Sequence, residues 1–345
     1  MTMRINYCHN IDALSGLRQM ETGSVNCCVT SPLYYGLRDY GADGQIGLET
    51  TLEEFVRRLV QVFHEFFRVL RDDGTLWINM GDSYAGSGKG AWANKKAQKE
   101  AYVPDTDSAI ARVPKTFDGI KQKDLMGIPW MLAFALRDDG WYLRDDIIWA
   151  KPNPMPESVT DCCTKAHEYI FLLSKSRYYY YDAEAIEEPC VGTNMLFPAG
   201  SEGSARLNSR KRQKGNNKTF RGGSVYTKEQ SFQNSAVVHR ESHGNIINEA
   251  QTRNKRDVWW VSSSTAYHGA HFATFSPELI KPCILAGCSE GGMVCDPFMG
   301  SGTTLVTANQ LNRNCIGFDV NAHYCKSSNQ RREEAMAQLS LFRCI

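Results

Sequence analysis

A chain of 345 residues with 42% hydrophobic content has enough apolar material for one large core and a second, smaller unit. No stretch approaches the run of about 18 apolar residues that a membrane helix needs, and Met1–Tyr7 has no apolar signal core, so a cytoplasmic protein is expected. The net charge of +1 leaves the class of partner open.

Arg4 to Cys8 predicts a short strand, and Ala13 to Met20 a helix that Asp12 can cap. Asn26 to Thr30 predicts a buried strand, and Ser31-Pro32-Leu33-Tyr34 sits at its end. Thr51 and Glu54 fit a capping box, and apolar residues from Leu52 to Leu70 keep helical spacing until Asp72-Asp73-Gly74. Thr75 to Met80 is the next strand. A polar insert without clear periodicity follows at about 85–123. Ile128-Pro129 opens another helix, which ends before Asp138, and Trp141–Trp149 and Glu168–Ser174 predict two more strands.

Between Lys151 and Arg256 the pattern changes to a proline-broken and then polar region, with an aromatic run at Tyr178–Tyr181 that reads as a strand edge. Residues 203–228 contain no acidic residue and carry Arg206, Arg210, Lys211, Arg212, Lys214, Lys218, Arg221 and Lys228. Such a window is either a solvated insert or a loop that tracks phosphates. The twelve cysteines include no C-x-x-C pair. Cys162, Cys163 and His167 lack a second ligand pair at zinc spacing, so reduced thiols are expected and no metal.

Met293-Val294-Cys295 predicts a strand that runs into Asp296-Pro297-Phe298-Met299-Gly300-Ser301-Gly302-Thr303-Thr304, and a helix continues to Leu311. Glycine lets such a turn close tightly and lets a ligand approach the backbone. Gly317-Phe318-Asp319 closes the next apolar stretch, and an acidic residue there suits the two hydroxyls of a ribose. Alternating strands and helices predict a mostly parallel sheet with helices on both faces and ligands at the carboxyl ends of the strands. Asp12, Ser31, Asp296 and Asp319 all fall at predicted strand ends, so the two ends of the chain are expected to build one site.

The glycine turn and the Ser31-Pro32-Leu33-Tyr34 segment together resemble the amino-methyltransferases of DNA. The resemblance extends over Gly36-Leu37-Arg38-Asp39-Tyr40-Gly41, Gly44–Glu49, Gly81-Asp82-Ser83-Tyr84, Gly140–Arg144 and His271-Phe272-Ala273-Thr274-Phe275. It is closest to the permuted, β-type subgroup, in which the catalytic half precedes the cofactor half. That subgroup implies a seven-stranded, mostly parallel α/β sheet of the Rossmann-like methyltransferase type, with an inserted DNA-recognition region. The implied division is a catalytic half at 1–150, a target-recognition region at 151–256 with the strand 168–174 joining the main sheet, and a cofactor half at 257–345.

The resemblance also implies S-adenosylmethionine as cofactor, with Asp12 near its adenine and Asp319 at its ribose. Asp296 would meet its ammonium group. Phe298, Gly300, Gly302 and Thr303 would wrap the methionine portion, and Phe272 and Thr274 would line that end. The implied partner is duplex DNA, from which the target base is flipped, with Arg210, Lys211, Arg212 and Lys214 on phosphates. A homodimer, and a cognate restriction endonuclease that is not stably bound, stay open. So does a protective role in restriction-modification or in phage.

In such enzymes Ser-Pro-Pro-Tyr marks methylation on cytosine N4, and Asp-Pro-Pro-Tyr the adenine N6 form. By this resemblance the Ser31 hydroxyl and Pro32 carbonyl accept the amine protons, and Tyr34 stacks on the base. Adenine N6, an RNA or protein-amide substrate, and a DNA-binding protein with a decayed site remain alternatives. Leu33 replaces the second proline of the motif and loses its rigidity. Ser276 replaces a proline after the His271–Phe275 segment.

Overall fold

The computed structural model of the chain describes residues 3–36, 45–85, 120–154, 160–189, 238–240, 246–248, 252–263 and 275–343. Two compact units are present, residues 1–186 with 256–345, and residues 187–255. In the larger unit the elements run β1 (Tyr7–Asn10), α1 (Ala13–Arg18), β2 (Val25–Thr30), α2 (Leu52–Val69), β3 (Leu70–Met80), α3 (Ile128–Asp138), β4 (Tyr142–Ala150) and β5 (His167–Ser174). The smaller unit holds β6 (Glu188–Pro189), β7 (Val238–Arg240), β8 (Ile246–Asn248) and β9 (Thr252–Arg253), paired antiparallel as β6–β9 and β7–β8. The larger unit then resumes with β10 (Val258–Trp260), α4 (Pro277–Gly287), β11 (Met293–Asp296), α5 (Thr303–Gln310), β12 (Asn314–Asp319) and α6 (Ala322–Arg343).

The main sheet has the order β1-β12-β11-β2-β3-β5-β4-β10. Every neighbouring pair is parallel except the two that involve β5. Among the described residues the sheet therefore has eight strands and not seven. The additional strand is β10, which extends the edge by pairing Val258 with Ile148 and Trp259 with Trp149.

Neighbouring side chains alternate between two apolar layers, as a strand covered on both sides requires. Val25, Cys28, Leu76 and Ile78 join one layer with Leu17, Phe55, Leu59, Phe63, Phe66, Leu132 and Leu136 from α1, α2 and α3. Cys27, Val29 and Trp77 join the other with Leu279, Ile280, Ile284, Leu305 and Ala308 from α4 and α5. Burying each of the larger side chains contributes about 1.5–3 kcal/mol. Most cysteines among the described residues lie within these layers, and Cys162 and Cys163 are exposed.

Three local expectations shift. Asp72-Asp73-Gly74 does not separate helix from strand, because β3 already begins at Leu70. Val25 pairs with Leu70 and Cys27 with Thr75, so residues 71–74 bulge opposite Asn26. Gly74 permits the bulge, since a Cβ there would lie 2.9 Å from the Asn26 carbonyl oxygen. Tyr178–Tyr181 forms no strand; it is tied down by Tyr180 N–H donating to Asp73 O at 2.8 Å and by Tyr181 stacking on Trp77. β1 lies slightly later than expected, at Tyr7–Asn10.

Helix starts follow the expected chemistry. Thr51 caps α2 by accepting from Glu54 N–H. Ser276, at the position of the missing proline, caps α4 by accepting from Leu279 N–H, and Pro277 follows it. Asp82 accepts from Gly127 N–H at 3.1 Å and Ile128 N–H at 3.2 Å, so the residues after β3 are fastened to the start of α3.

Candidate active site

The topology brings the carboxyl ends of β1, β12, β11, β2 and β3 side by side. Asn10, Asp319, Asp296, Thr30 and Met80 end these five strands, so Asp12, Asp319, Asp296 and Ser31 meet along one edge of the sheet.

Asp296 is the buried centre of this edge, only 1% exposed. One carboxylate oxygen accepts from Thr30 Oγ1 at 2.6 Å and from Phe298 N–H at 3.0 Å, and the other accepts from Thr304 Oγ1 at 2.7 Å. Burial pushes its pKa up to about 6, against the opposing pull of those donors. Three donors of the protein thus converge on this carboxylate. Asp296 ties the last residue of β2 to the first turn of α5, which makes it a brace between the two halves of the edge. Thr30 and Thr304 carry no motif of their own, but their positions beside Ser31-Pro32 and inside the glycine turn were visible in the sequence.

The turn from Asp296 to Gly302 has left-handed backbone at Gly300 (φ 51°) and Gly302 (φ 81°). A side chain at Gly302 would place its Cβ 2.1 Å from Ser328 Oγ of α6, so only glycine fits. Asp319 fixes the turn from the next strand, accepting from Gly300 N–H at 2.9 Å and from Asn321 N–H at 2.8 Å. Burial raises its pKa. Phe298 is partly exposed, and Thr303 is buried at the start of α5, where Arg331 donates to its hydroxyl. Asp12 caps α1 by accepting from Ser15 N–H at 2.9 Å. A bare glycine backbone beside a carboxylate at a strand end is a cradle that suits a nucleoside with an extended polar tail. Phe272, Thr274, Arg210, Lys211, Arg212 and Lys214 lie outside the described residues.

On the other side of Asp296, Ser31, Leu33 and Tyr34 are partly exposed and Pro32 is buried. Leu33 packs against the core. The segment is held from beneath, where Gly36 N–H donates to Gly47 O at 2.8 Å and Gly47 N–H donates to Glu49. Arg58 in turn pairs with Glu49 at 2.9 Å. Gly47 has φ 103°, and a Cβ there would come within 3.2 Å of the Tyr34 carbonyl oxygen.

The Tyr34 hydroxyl donates to Glu168 Oε2 at 2.8 Å. Burial first, and then the Glu168 charge, raise the phenol pKa well above its ordinary value, against a smaller opposing pull from the neighbouring Gly81 amide and Ser31 hydroxyl. Asn79 Nδ2 donates to the same Glu168 oxygen at 3.2 Å, and Lys151 Nζ donates to the other. Glu168, Lys151 and Asn79 were not singled out from the sequence. The available signal was an acidic residue opening an apolar strand whose two faces are both covered. Among the described residues no group of acidic, histidine and cysteine side chains could hold a metal ion, and no helix is long and apolar enough to cross a membrane.

Comparison with known proteins identifies the arrangement. The family model described as DNA methylase (N6_N4_Mtase) matches residues 25–330. The type II methyltransferase M.Cfr9I of Citrobacter freundii is 44% identical over 313 residues, spanning 91% of this chain and 83% of that protein. M.SmaI of Serratia marcescens is 39% identical over 320 residues, spanning 93% and 88%. Among solved structures, the PvuII DNA methyltransferase (cytosine-N4-specific) aligns with TM-score 0.57 at 14% identity, covering 96% of this chain and 94% of that one. The putative DNA modification methylase TTHA0409 of Thermus thermophilus, complexed with S-adenosyl-L-methionine, aligns with TM-score 0.53 at 19% identity, covering 95% and 93%. These two likenesses establish an α/β methyltransferase fold, and the match across residues 25–330 with the strong identity to the type II enzymes makes the chain a member of the N6/N4 DNA methylase family.

Proposed function

We propose that this methyltransferase transfers a methyl group from S-adenosylmethionine to the exocyclic N4 of a cytosine flipped out of duplex DNA. The observation that carries the reading is Ser31-Pro32 at the end of β2, braced through Thr30 and Asp296 to the glycine turn at the end of β11. The cofactor supplies a methyl group activated on a sulfonium. Asp319, the Gly300–Gly302 backbone, Phe298 and Thr303 would hold it, and Asp12 lies at the same edge.

The chain's own residues then have to deal with a poor nucleophile. The lone pair of an exocyclic amine is delocalised into the ring. Acceptors on its two protons hold it toward a tetrahedral shape, and this reading assigns that role to the Ser31 hydroxyl and the Pro32 carbonyl. Catalysis of this kind is positioning and electrostatics, without a covalent enzyme intermediate. Tyr34 offers a ring face to a flipped base. A serine at position 31 supports cytosine over adenine, by the resemblance of Ser31-Pro32 to the cytosine form of the motif. Close relatives are type II methyltransferases, which supports a modification role beside a restriction endonuclease.

The decisive experiment expresses the protein in a methylation-free bacterium and digests the DNA to nucleosides for mass spectrometry. N4-methylcytosine is expected. N6-methyladenine alone would replace the cytosine assignment with the adenine one, and no methylated nucleoside would point to a DNA-binding protein with a decayed site.

A further inference from the structure

Among the described residues β5 is the one strand of the main sheet that runs against its neighbours, and this brings its first residues to the site. Met80 at the carboxyl end of β3 pairs with Tyr169, and Trp149 and Ala150 at the carboxyl end of β4 pair with Glu168 and His167. Glu168 therefore stands on the same edge of the sheet as Ser31 and Tyr34.

Its carboxylate is held at both oxygens. Oε2 accepts from the Tyr34 hydroxyl at 2.8 Å and from Asn79 Nδ2 at 3.2 Å, and Oε1 accepts from Lys151 Nζ. The two supports are themselves fixed. Asn79 is buried, and its Nδ2 also donates to the Tyr169 carbonyl at 3.1 Å. Lys151 Nζ lies 4.4 Å from the centre of the Trp149 ring, and the Lys151 N–H donates to Ala166 O at 2.8 Å. Gly81 leaves room for the contact, because a Cβ there would lie 3.1 Å from Tyr34 Cε2 and 3.2 Å from Glu168 Cγ. The Glu168 and Lys151 side chains keep only 15% and 20% of their surface exposed. An ion pair drawn so far out of water is often no more stabilising than apolar side chains of similar size. What this one supplies is a fixed acceptor for a single phenol.

We infer that Glu168 is a positioning residue for methyl transfer, which holds the Tyr34 hydroxyl and so fixes the ring against which the flipped base lies beside Ser31. The inference rests on the methyl-transfer reading and applies equally to a cytosine or an adenine target. A tyrosine ring tethered only through its Cβ can swing about two torsions, and one held also at Oη cannot. The main chain of Tyr34 is already confined, since its carbonyl oxygen lies 3.2 Å from the place a Cβ of Gly47 would take. The contact with Glu168 completes the restraint at the far end of the side chain. The amine must line up with the sulfonium methyl, and a shift of about 1 Å in such an alignment costs on the order of 10²-fold in rate.

The test uses three variants of the full-length protein. Glu168→Met keeps the length of the side chain without the acceptor, Tyr34→Phe keeps the ring without the hydroxyl, and the third combines them. The substrate is duplex DNA from a methylation-free bacterium, with S-adenosylmethionine carrying a radioactive methyl group, and single-turnover rates are read at saturating enzyme. Each single variant should transfer methyl on the order of 10²-fold more slowly. Anisotropy titrations should find duplex affinity little changed. The double variant should be no slower than the slower single one, because both substitutions cut the same contact. A Glu168 that only braced the strands would leave Tyr34→Phe at the wild-type rate, and that result would overturn the inference. Losses that multiply in the double variant would overturn it too. If Glu168→Met does not fold, Tyr34→Phe decides by itself, since it leaves Glu168, Asn79 and Lys151 in place.

A second readout does not depend on activity. With ¹³Cζ-labelled tyrosine, the Tyr34 resonance, identified by its loss in Tyr34→Phe, should shift between wild type and Glu168→Met. An unmoved resonance would show that Glu168 does not hold the phenol. If the wild-type protein itself methylates no DNA, the methyl-transfer reading fails, and the resonance still reports the contact separately.

Discussion

Ser31 and Asp319 stand on opposite sides of Asp296, and each is open to a clean substitution. Ser31→Ala removes one acceptor and leaves the pocket; loss of a single oriented contact of this kind costs about 2.7–4 kcal/mol, or 10²–10³ in turnover. Steady-state kinetics should show the fall in kcat with cofactor affinity nearly unchanged, and near wild-type turnover would show the role misassigned. Asp319→Ala acts on the other substrate. It removes the acceptor that Gly300 and Asn321 use and the proposed ribose partner. Calorimetry should find S-adenosylmethionine binding weaker by about 1.5–3 kcal/mol, the scale of hydrogen bonds to a charged group. DNA binding measured without cofactor should be little affected. Both residues could be read from the sequence because each closes an apolar strand next to a recognisable local pattern. Glu168 could not be read in that way. Its partners Tyr34, Asn79 and Lys151 lie on three other segments, and only the strand order places them together.

At the scale of elements, the coupling of β2 to α5 through Asp296 carries a pH signature. The folded-state pKa of Asp296 is raised to about 6 from the ordinary 3.8. Between those values the folded chain binds more protons at this group than the unfolded chain does. Stability from this group is therefore fully present below about pH 4 and is lost as pH rises through about 6. The swing is about 3 kcal/mol, one pKa unit being about 1.4 kcal/mol. Asp296→Asn cannot ionise, so denaturant unfolding at pH 4 and pH 8 should show the variant gaining about that much relative to wild type at the higher pH. A difference independent of pH would show that burial of the carboxylate is without such a cost. Along the chain, helix and strand identities followed from periodicity and caps, as at Thr51 and Ile128-Pro129. What escaped was anything set by a neighbouring strand. The bulge at residues 71–74 resembles a turn because Asp-Asp-Gly is turn chemistry, yet pairing of Leu70 with Val25 draws it into β3. The antiparallel direction of β5 has no local signature, and β10 is a three-residue edge too short to stand out.

At the scale of the whole molecule, a nearly neutral protein needs a localised basic surface to hold duplex DNA, and residues 203–228 are the richest source of it in the sequence. Neutralising Arg210, Lys211, Arg212 and Lys214 together should weaken binding to any duplex, whatever its sequence. If all four meet phosphates, the slope of log affinity against log salt should fall by about 0.9 for each contact. Fluorescence anisotropy titrations at several salt concentrations measure this, and an unchanged slope would return the window to a solvated insert. The composition of this window was plain in the sequence. Which bases the enzyme selects is set by side chains that reach base edges in the grooves, and composition does not specify those.

The strand order also has a consequence for synthesis on the ribosome. β1 precedes the other strands of the sheet in sequence, yet among the described residues its one neighbour is β12, and the two are joined in the register Tyr7–Ile316 to Asn10–Asp319. β11 fills the gap between β12 and β2, so the middle of the sheet is closed only after a strand far downstream of β2 in sequence has been made. A nascent chain that has emerged only as far as α4 has Ser31 without its brace and no cradle for the methyl donor. A chain cut short before β11 therefore carries Ser31-Pro32 without the glycine turn that stands beside it in the sheet.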